Sequence, residues 1–374
     1  MPINVLFLHN GGSWIRGSEN ALVTLLRGLD KTRVTPVLVC SSEALAELAQ
    51  ANGIKAICCP MPQIMIDGSE TRLQFWSCIK TVKKLASLTR KLGIQLIYCN
   101  GGSACQTGYY VGKFCRVPVI GHVHSPYNRR YILLYRLHRL SKVIAVSQAV
   151  RKMMLRKQRF SGPCDVVYNG VDIARFCPSN QREAVWRERL GFSEDCVVFG
   201  QVSSLISRKG VDILLRAFRM LSIRNPHVRL LLIGDGPQRQ SFSALSQDLS
   251  ISDKVHFLGE TNPLPYYQHV IDVNVLASRS DAFPLSLLEA AACGLPNIGS
   301  AVDGIGEAIS DSENGFLFEV GKQEILAQKM SLLAGEPTLR AEFGQRARRT
   351  AMQRFSSEQY CTSIQQIILD HCQQ

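Results

Sequence analysis

Residues 278–296 read SRSDAFPLSLLEAAACGLP. An apolar run at 271–277 precedes them and predicts a strand, and the stretch itself predicts a loop followed by a helix. Pro284 suits the first helical position, and Gly294-Leu295-Pro296 is a helix stop. The amides of Leu285, Ser286 and Leu287 would then be free at the helix start, where the dipole favours an anion. Asp281 lies in the loop before this seat. Glu289 lies one turn into the helix, and helical side chains lean towards the N-terminus, so its carboxylate reaches back beside the seat. A phosphate carrying hydroxyl-bearing groups on both sides fits such a place.

The same alternation of strand and helix runs through the chain. Strands are expected near 3–8, 34–40, 55–59, 94–99, 117–123, 142–146 and 165–168, then near 197–203, 228–233, 255–258, 271–277, 296–299 and 315–318. Most are continuous apolar runs, as strands buried on both faces require. This predicts an α/β protein of two doubly wound, Rossmann-like domains, joined by a linker near 169–195, where NGVDIARFCPSN breaks the pattern. At 374 residues the chain is long enough for two cores.

Composition excludes several classes. No apolar run approaches the roughly 20 residues of a membrane span. The N-terminal MPINVLFLHNGG lacks a basic leader and reads as a first strand. The 13 cysteines show no paired metal spacing, which suits reduced thiols in the cytoplasm. Charge is uneven: residues 1–175 hold 24 Lys and Arg against 8 Asp and Glu, a balance of +16, and the remainder balances at −3. No nucleic-acid motif accompanies the positive half, so an anionic membrane is the expected partner. Three stretches carry this charge beside apolar residues, as a helix lying on lipid does. Residues 72–91 place Phe75 and Trp76 among Lys80, Lys83, Lys84, Arg90 and Lys91. The others are YNRRYILLYRLHRLSK at 127–142 and RKMMLRKQRF at 151–160.

Further motifs close predicted strands. Lys209-Gly210 ends the loop in GQVSSLISRKGVDILLRAF, residues 200–218. Gly234-Asp235-Gly236-Pro237 follows the strand at 228–233. Arg16-Gly17-Ser18-Glu19 follows the first strand, and its glycine spacing does not match a dinucleotide fingerprint. PVIGHVHS, residues 118–125, delivers His124 to a strand's carboxyl end, with His122 on the same face and expected to be buried. No third ligand accompanies the two histidines, which disfavours zinc.

In this order the motifs resemble the signatures of the retaining glycosyltransferases of family four, also called group 1, which have the GT-B fold. The resemblance covers nearly the whole chain. That family typically has Glu, seven residues and Glu, where this chain has Asp281 and Glu289. It also has an arginine five residues before the lysine, a position held here by Ser204, with Arg208 next to Lys209. The resemblance implies two domains facing across a cleft. Residues 1–175, joined by a returning C-terminal helix at about 356–374, would form an acceptor- and membrane-facing domain. Residues 176–355 would bind the nucleotide-sugar donor.

It further implies that Lys209 and the amides of Leu285, Ser286 and Leu287 hold the donor diphosphate. Ser204, Arg208 and Gly234 would lie nearby. Glu289 would bind ribose hydroxyls and Asp281 hydroxyls of the transferred sugar. His124 would sit against sugar and acceptor, with the Gly17 loop beneath them. Asn169-Gly170-Val171-Asp172 reads as hinge and turn chemistry. The expected reaction transfers a sugar from a nucleotide-diphosphate sugar, with retention, to a lipid-linked or saccharide acceptor, without metal or other cofactor. The expected setting is polysaccharide or glycolipid assembly, peripheral on the inner face of the membrane. Rivals are a sugar-nucleotide epimerase on the same fold and a degenerate donor-binding scaffold, the latter favoured by Ser204 and by Asp281 in place of Glu.

Overall fold

The structure, a computed structural model, describes residues 2–12, 14–62, 71–156, 160, 162–179 and 183–372, with backbone alone for 71–74. Residues 157–159 of the third basic stretch therefore lie outside the described residues. Contacts divide the chain into two compact units, Met1–Gly170 with Ser357–Gln374, and Val171–Ser356.

Unit 1 is built on seven parallel strands: β1 (Ile3–His9), β2 (Val34–Cys40), β3 (Ala56–Cys58), β4 (Leu96–Asn100), β5 (Val119–Val123), β6 (Lys142–Ala145) and β7 (Cys164–Val166). Their order is β3-β2-β1-β4-β5-β6-β7. Unit 2 has six: β8 (Val197–Val202), β9 (Val228–Ile233), β10 (Val255–Gly259), β11 (Val273–Leu276), β12 (Asn297–Ser300) and β13 (Gly315–Phe318). They are again parallel, in the order β10-β9-β8-β11-β12-β13. Each sheet grows in one direction from its first strand and then reverses to the other side of it. The reversal lies between β1 and β4 in unit 1 and between β8 and β11 in unit 2. At such a switch point the connections leave in opposite directions, which opens a crevice at the carboxyl ends of the strands.

Sequence explains why these elements form. Val5, Leu6, Phe7 and Leu8 of β1 are all fully buried, as are Leu230 and Leu231 of β9, so side chains on both pleat faces meet helices. The core of unit 1 includes Leu22, Leu25 and Leu26 from the helix Gly17–Gly28 with Tyr360, Ile364 and Ile368 from the last helix, Ser357–Cys372. That last helix thus belongs to unit 1. Its Gln365 side chain accepts a 2.8 Å bond from the Asp30 amide, and Cys361 lies so close to Gly28 that a methyl there would meet its Sγ at 2.4 Å. In unit 2 the helix Val211–Arg224 buries Ile213, Leu214, Phe218 and Leu221 with Leu326 and Met330 of the helix Gln323–Gly335. At the unit boundary the Val171 amide donates to the Phe355 carbonyl at 2.8 Å. No described helix is long and apolar enough to cross a membrane.

Candidate functional site

At the switch point of unit 2, three loops meet. The first follows β8 and ends in the short 3-10 turn Ser207–Lys209 and Gly210. Gly210 has φ +64°, and a Cβ there would lie 1.8 Å from the Ala277 carbonyl oxygen. Only glycine lets this loop touch the backbone leaving β11. The second loop, 277–284, follows β11, and the contact places the ammonium of Lys209 against it. Lys209 Nζ forms an ion pair with Asp281 Oδ2. Arg208 donates to the Ser280 carbonyl at 2.8 Å, and its guanidinium lies 3.9 Å from the same Asp281 oxygen. Arg279 locks the two loops together. It donates to the Ser207 carbonyl at 2.7 Å and forks onto Asp212 at 2.8 and 2.6 Å. Asp281 Oδ1 has no hydrogen-bond partner among the described residues.

The third loop follows β9. Gly234 has φ +128°, and a Cβ there would meet the Ser203 carbonyl at 2.2 Å. Leu205 donates to the Asp235 carbonyl at 2.9 Å, so the Gly234 turn is clamped on the segment that carries Ser204. Ser204 itself is half-buried in that segment.

The anion seat differs by one residue from the sequence expectation. Pro284 is the N-cap, with extended ψ of 125°, and the helix is Leu285–Ala292. The fixed φ of proline suits either position, so sequence alone misplaces it by one. Leu285, Ser286 and Leu287 are accordingly the first three helical residues, and no side chain caps them. Glu289 is half-buried, and its carboxylate makes no hydrogen bond or ion pair among the described residues. Burial pushes its carboxyl up to about 7, with Arg175 pulling the other way. Beneath it the Tyr267 hydroxyl donates to the Ser286 carbonyl at 3.1 Å and steadies the first turn.

Sequence reasoning missed Asp303. It has φ +43° and stands after β12, where its Oδ2 accepts from Ser280 Oγ at 2.6 Å and from the Asp281 amide at 3.0 Å. It therefore holds the loop that presents Asp281. The Asp-Gly pair at the end of an apolar run was the available signal.

Unit 1 places His124 immediately after β5, half-buried, with Nε2 2.7 Å from Asn100 Oδ1. Burial, with His9 alongside, pushes its pKa down to about 4 against the pull of Glu19. His122 is fully buried, its Nδ1 2.6 Å from the Tyr98 hydroxyl. Gly17 is the exposed first residue of its helix. Glu19 of the same motif turns inward: its oxygens take His9 Nε2 at 3.0 Å, the Arg16 amide at 3.1 Å and Ser18 Oγ at 2.8 Å. Burial alone would raise its pKa, but the bonds from His9 and Ser18 outweigh this and bring it to about 2. His9 and Asn100, at the carboxyl ends of β1 and β4, were not anticipated as site residues.

Two family descriptions match the chain: glycosyltransferase family 4 over residues 15–175, and glycosyl transferases group 1 over residues 182–350. The chain belongs to the group 1 glycosyltransferases. Among its relatives is N-acetyl-alpha-D-glucosaminyl L-malate synthase of Bacillus anthracis, 31% identical over 204 residues, covering 54% of this chain and 53% of that protein. Another is the lipopolysaccharide core biosynthesis glycosyltransferase LpsE of Rhizobium meliloti, 28% identical over 52% of this chain and 56% of its own length. The chain thus spans about half the length of the curated relatives it matches. The fold is shared in full with Anabaena HepE, solved in complex with UDP-glucose: TM-score 0.85 at 23% identity, covering 98% of this chain and 100% of that one. The architecture of this group 1 member is therefore GT-B.

Proposed function

We propose that this group 1 protein is a retaining glycosyltransferase that moves a sugar from a nucleotide-diphosphate sugar to a lipid-linked or saccharide acceptor, in the assembly of surface polysaccharide or glycolipid. The observation that carries the reading is the assembly at the unit 2 switch point. Two cations, Lys209 and Arg208, share one carboxylate, and Glu289 is left without a protein partner beside an uncapped helix start. A half-buried acid with no hydrogen-bond partner loses hydration that a ligand could replace.

The chemistry follows from these placements. The bond between sugar C1 and the donor phosphate oxygen breaks, and the acceptor oxygen bonds to C1 on the same face. The acceptor's proton passes to the departing phosphate, and the nucleoside diphosphate leaves. Lys209, Arg208 and the amides of Leu285, Ser286 and Leu287 neutralise charge growing on that diphosphate, the largest electrostatic demand of the step. Asp281 orients Lys209 through Oδ2 and offers Oδ1 to a sugar hydroxyl. Glu289 takes ribose hydroxyls when ionised. His124 serves a hydroxyl of the sugar or acceptor. Protein cations and helix amides supply the counter-charge here, so no metal is invoked. The basic face of unit 1 is assigned to anionic lipid at the cytoplasmic side of the membrane.

The test is a panel of sugar nucleotides beginning with UDP-glucose, the ligand of the HepE structure. The expected result is a rise in thermal stability with one of them, because a ligand that binds only the folded state stabilises it by mass action. Transfer from that compound should give a product of unchanged anomeric configuration by NMR. A panel without any stabilising member would sink the donor assignment, and an inverted product would sink retention.

A further inference from the structure

Glu19, His9, Asn100 and His124 form one line of hydrogen bonds at the switch point of unit 1, and a single carbonyl sets its direction. The Ser18 carbonyl oxygen lies 3.1 Å from Asn100 Nδ2. A carbonyl only accepts, so the amide must turn its NH2 group towards it. The other end of that amide, Oδ1, then lies 2.7 Å from His124 Nε2, which must carry the ring proton to donate. The same NH2 group lies 3.0 Å from His9 Nδ1, which must accept. His9 therefore bears its proton on Nε2, 3.0 Å from Glu19 Oε1. His9 Nδ1 also lies 3.1 Å from the Asn100 carbonyl, but a proton placed there would set two donors 3.0 Å apart. Reversing Asn100 would set two oxygens against each other at Ser18.

We infer that Asn100 is a positioning residue that fixes His124 in the Nε2–H form, so that its open Nδ1 can only accept a hydrogen bond and selects a hydroxyl, not a phosphate or carboxylate oxygen, on the ligand. The hydroxyl half of this inference rests on the sugar-transfer reading. The Asn100 half does not. His124 Nδ1 has no partner among the described residues, and the ring is half-buried. The titratable groups around it are His9, Glu19 and His122, whose ring centroid is 4.4 Å away. Burial first and then His9, against the opposing pull of Glu19, keep the ring neutral and the Nδ1 lone pair in place. Glu19 closes the line as the fixed acceptor. This explains why its carboxylate is spent inside the protein.

The test is 15N NMR of the full chain labelled at histidine, with the His124 and His9 signals assigned by their loss in His124→Gln and His9→Gln. The expected spectrum shows His124 protonated at Nε2 and bare at Nδ1 from pH 8 down to pH about 5. A proton on Nδ1 in the wild-type protein overturns the inference, whatever any variant does. Asn100→Asp should raise the midpoint of the His124 titration by about one unit or more, because an anion now faces the ring. Asn100→Leu should release the ring into a mixture of the two forms, and an unchanged ring there would also overturn the positioning role. UDP-glucose at saturating excess should move the Nδ1 signal in the direction of a hydrogen-bonded lone pair. If UDP-glucose moves other signals but not this one, the hydroxyl assignment fails. If it moves none, UDP-glucose is not the donor and the next sugar nucleotide of the panel takes its place; if no member moves any signal, the sugar reading fails together with the hydroxyl assignment, and the Asn100 result stands.

Discussion

Glu19 and Glu289 occupy related places in two copies of one architecture. Each sits in the helix that leaves a strand bordering the switch point, and each is at least partly buried. Glu19 has its oxygens filled by His9, Ser18 and a backbone amide, and its pKa falls to about 2. Glu289 has no partner, and its pKa rises to about 7. The same residue type, in a helix beside the switch point of each unit, is thus a fastener in unit 1 and an open valence in unit 2. Partnership separates the two, because burial acts on both in the same direction. The units also differ in how their loops are held. Unit 1 joins its strand ends through side chains, from His9 to Asn100 to His124. Unit 2 presses backbone against backbone at Gly210 and Gly234, fastens the loops further through Arg279 and Asp303, and leaves the Glu289 carboxylate without a hydrogen-bond partner among the described residues.

The harshest way to break this contrast is to disturb the backbone contact. Gly210→Val would drive a branched side chain into the Ala277 carbonyl, 1.8 Å from where Cβ must lie, at a residue whose φ is already +64°. Overpacking with such a clash costs about 3 kcal/mol or more. The expected outcome is loss of Lys209 from Asp281, no detectable sugar transfer, and a clearly lower melting temperature by calorimetry. An unchanged melting temperature would show that the loops of unit 2 do not depend on this contact.

Next in size is Lys209→Ala. Taking away a charge that meets a leaving group lowers turnover by on the order of a hundredfold or more. It also leaves Asp281 with only Arg208 nearby, at 3.9 Å. Near-normal turnover in steady-state assays would make the ion pair a structural fastener of the Glu19 kind and remove the distinction between the units.

Exchanging each glutamate for glutamine tests the comparison directly, because the two variants should move stability in opposite directions. A carboxyl whose folded pKa lies below its unfolded one contributes stability above the unfolded pKa, and this is lost as pH falls through the folded one. For Glu19 the window runs from about 4.5 down to about 2. Glu19→Gln should therefore destabilise at pH 7, with the difference closing in strong acid. For Glu289 the folded pKa is the higher, so its ionisation costs stability, and the cost grows as pH rises from 4.5 through about 7. Glu289→Gln should be more stable than wild type at pH 8 and equal to it below pH 4.5. It should also weaken nucleotide-sugar binding by about 1.5–3 kcal/mol, the worth of a hydrogen bond to a charged group. Wild-type affinity should fall as pH drops through 7, and the variant's should stay flat. Calorimetry across pH reads all of this, and a destabilised Glu289→Gln would mean that the acid has a hidden protein partner.

How much of this was legible beforehand depends on sequence distance. The strands were readable because each is a short apolar run, and parallel sheets bury both faces of such runs. Lys209-Gly210, Asp281 and Glu289 were readable because each belongs to a compact local pattern. The line from Glu19 to His124 was not, since its members lie 10, 91 and 24 residues apart and meet only through strand order. His9 and Asn100 did leave a trace, as polar residues closing the apolar runs of β1 and β4. Asp303 was hidden in the same way, 22 residues from the amide it holds. Pro284 was misplaced by one position because its ring fits both sides of a helix boundary.

The smallest expected effect concerns the charge that separates the units. In the helix Thr71–Lys91, Phe75 and Trp76 are 47% and 72% exposed, and Lys80, Lys83 and Lys84 are exposed as well. Large apolar groups left in water beside cations suit a surface that is apolar beneath and anionic above. If the proposed lipid contact uses this face, each lysine contributes about 1 kcal/mol, so Lys83→Gln should weaken binding to anionic vesicles about fivefold. Trp76→Ser should weaken it through lost apolar burial, and that loss should persist in high salt, where the lysine effect fades because screening shortens its reach to a few ångströms. Neither change should alter nucleotide-sugar affinity, because none of the residues assigned to the donor lies on this helix. Co-sedimentation with vesicles of graded anionic content reads these effects. Equal recovery with neutral and anionic lipid would detach the positive charge of unit 1 from membranes and turn it towards a polyanionic acceptor in solution.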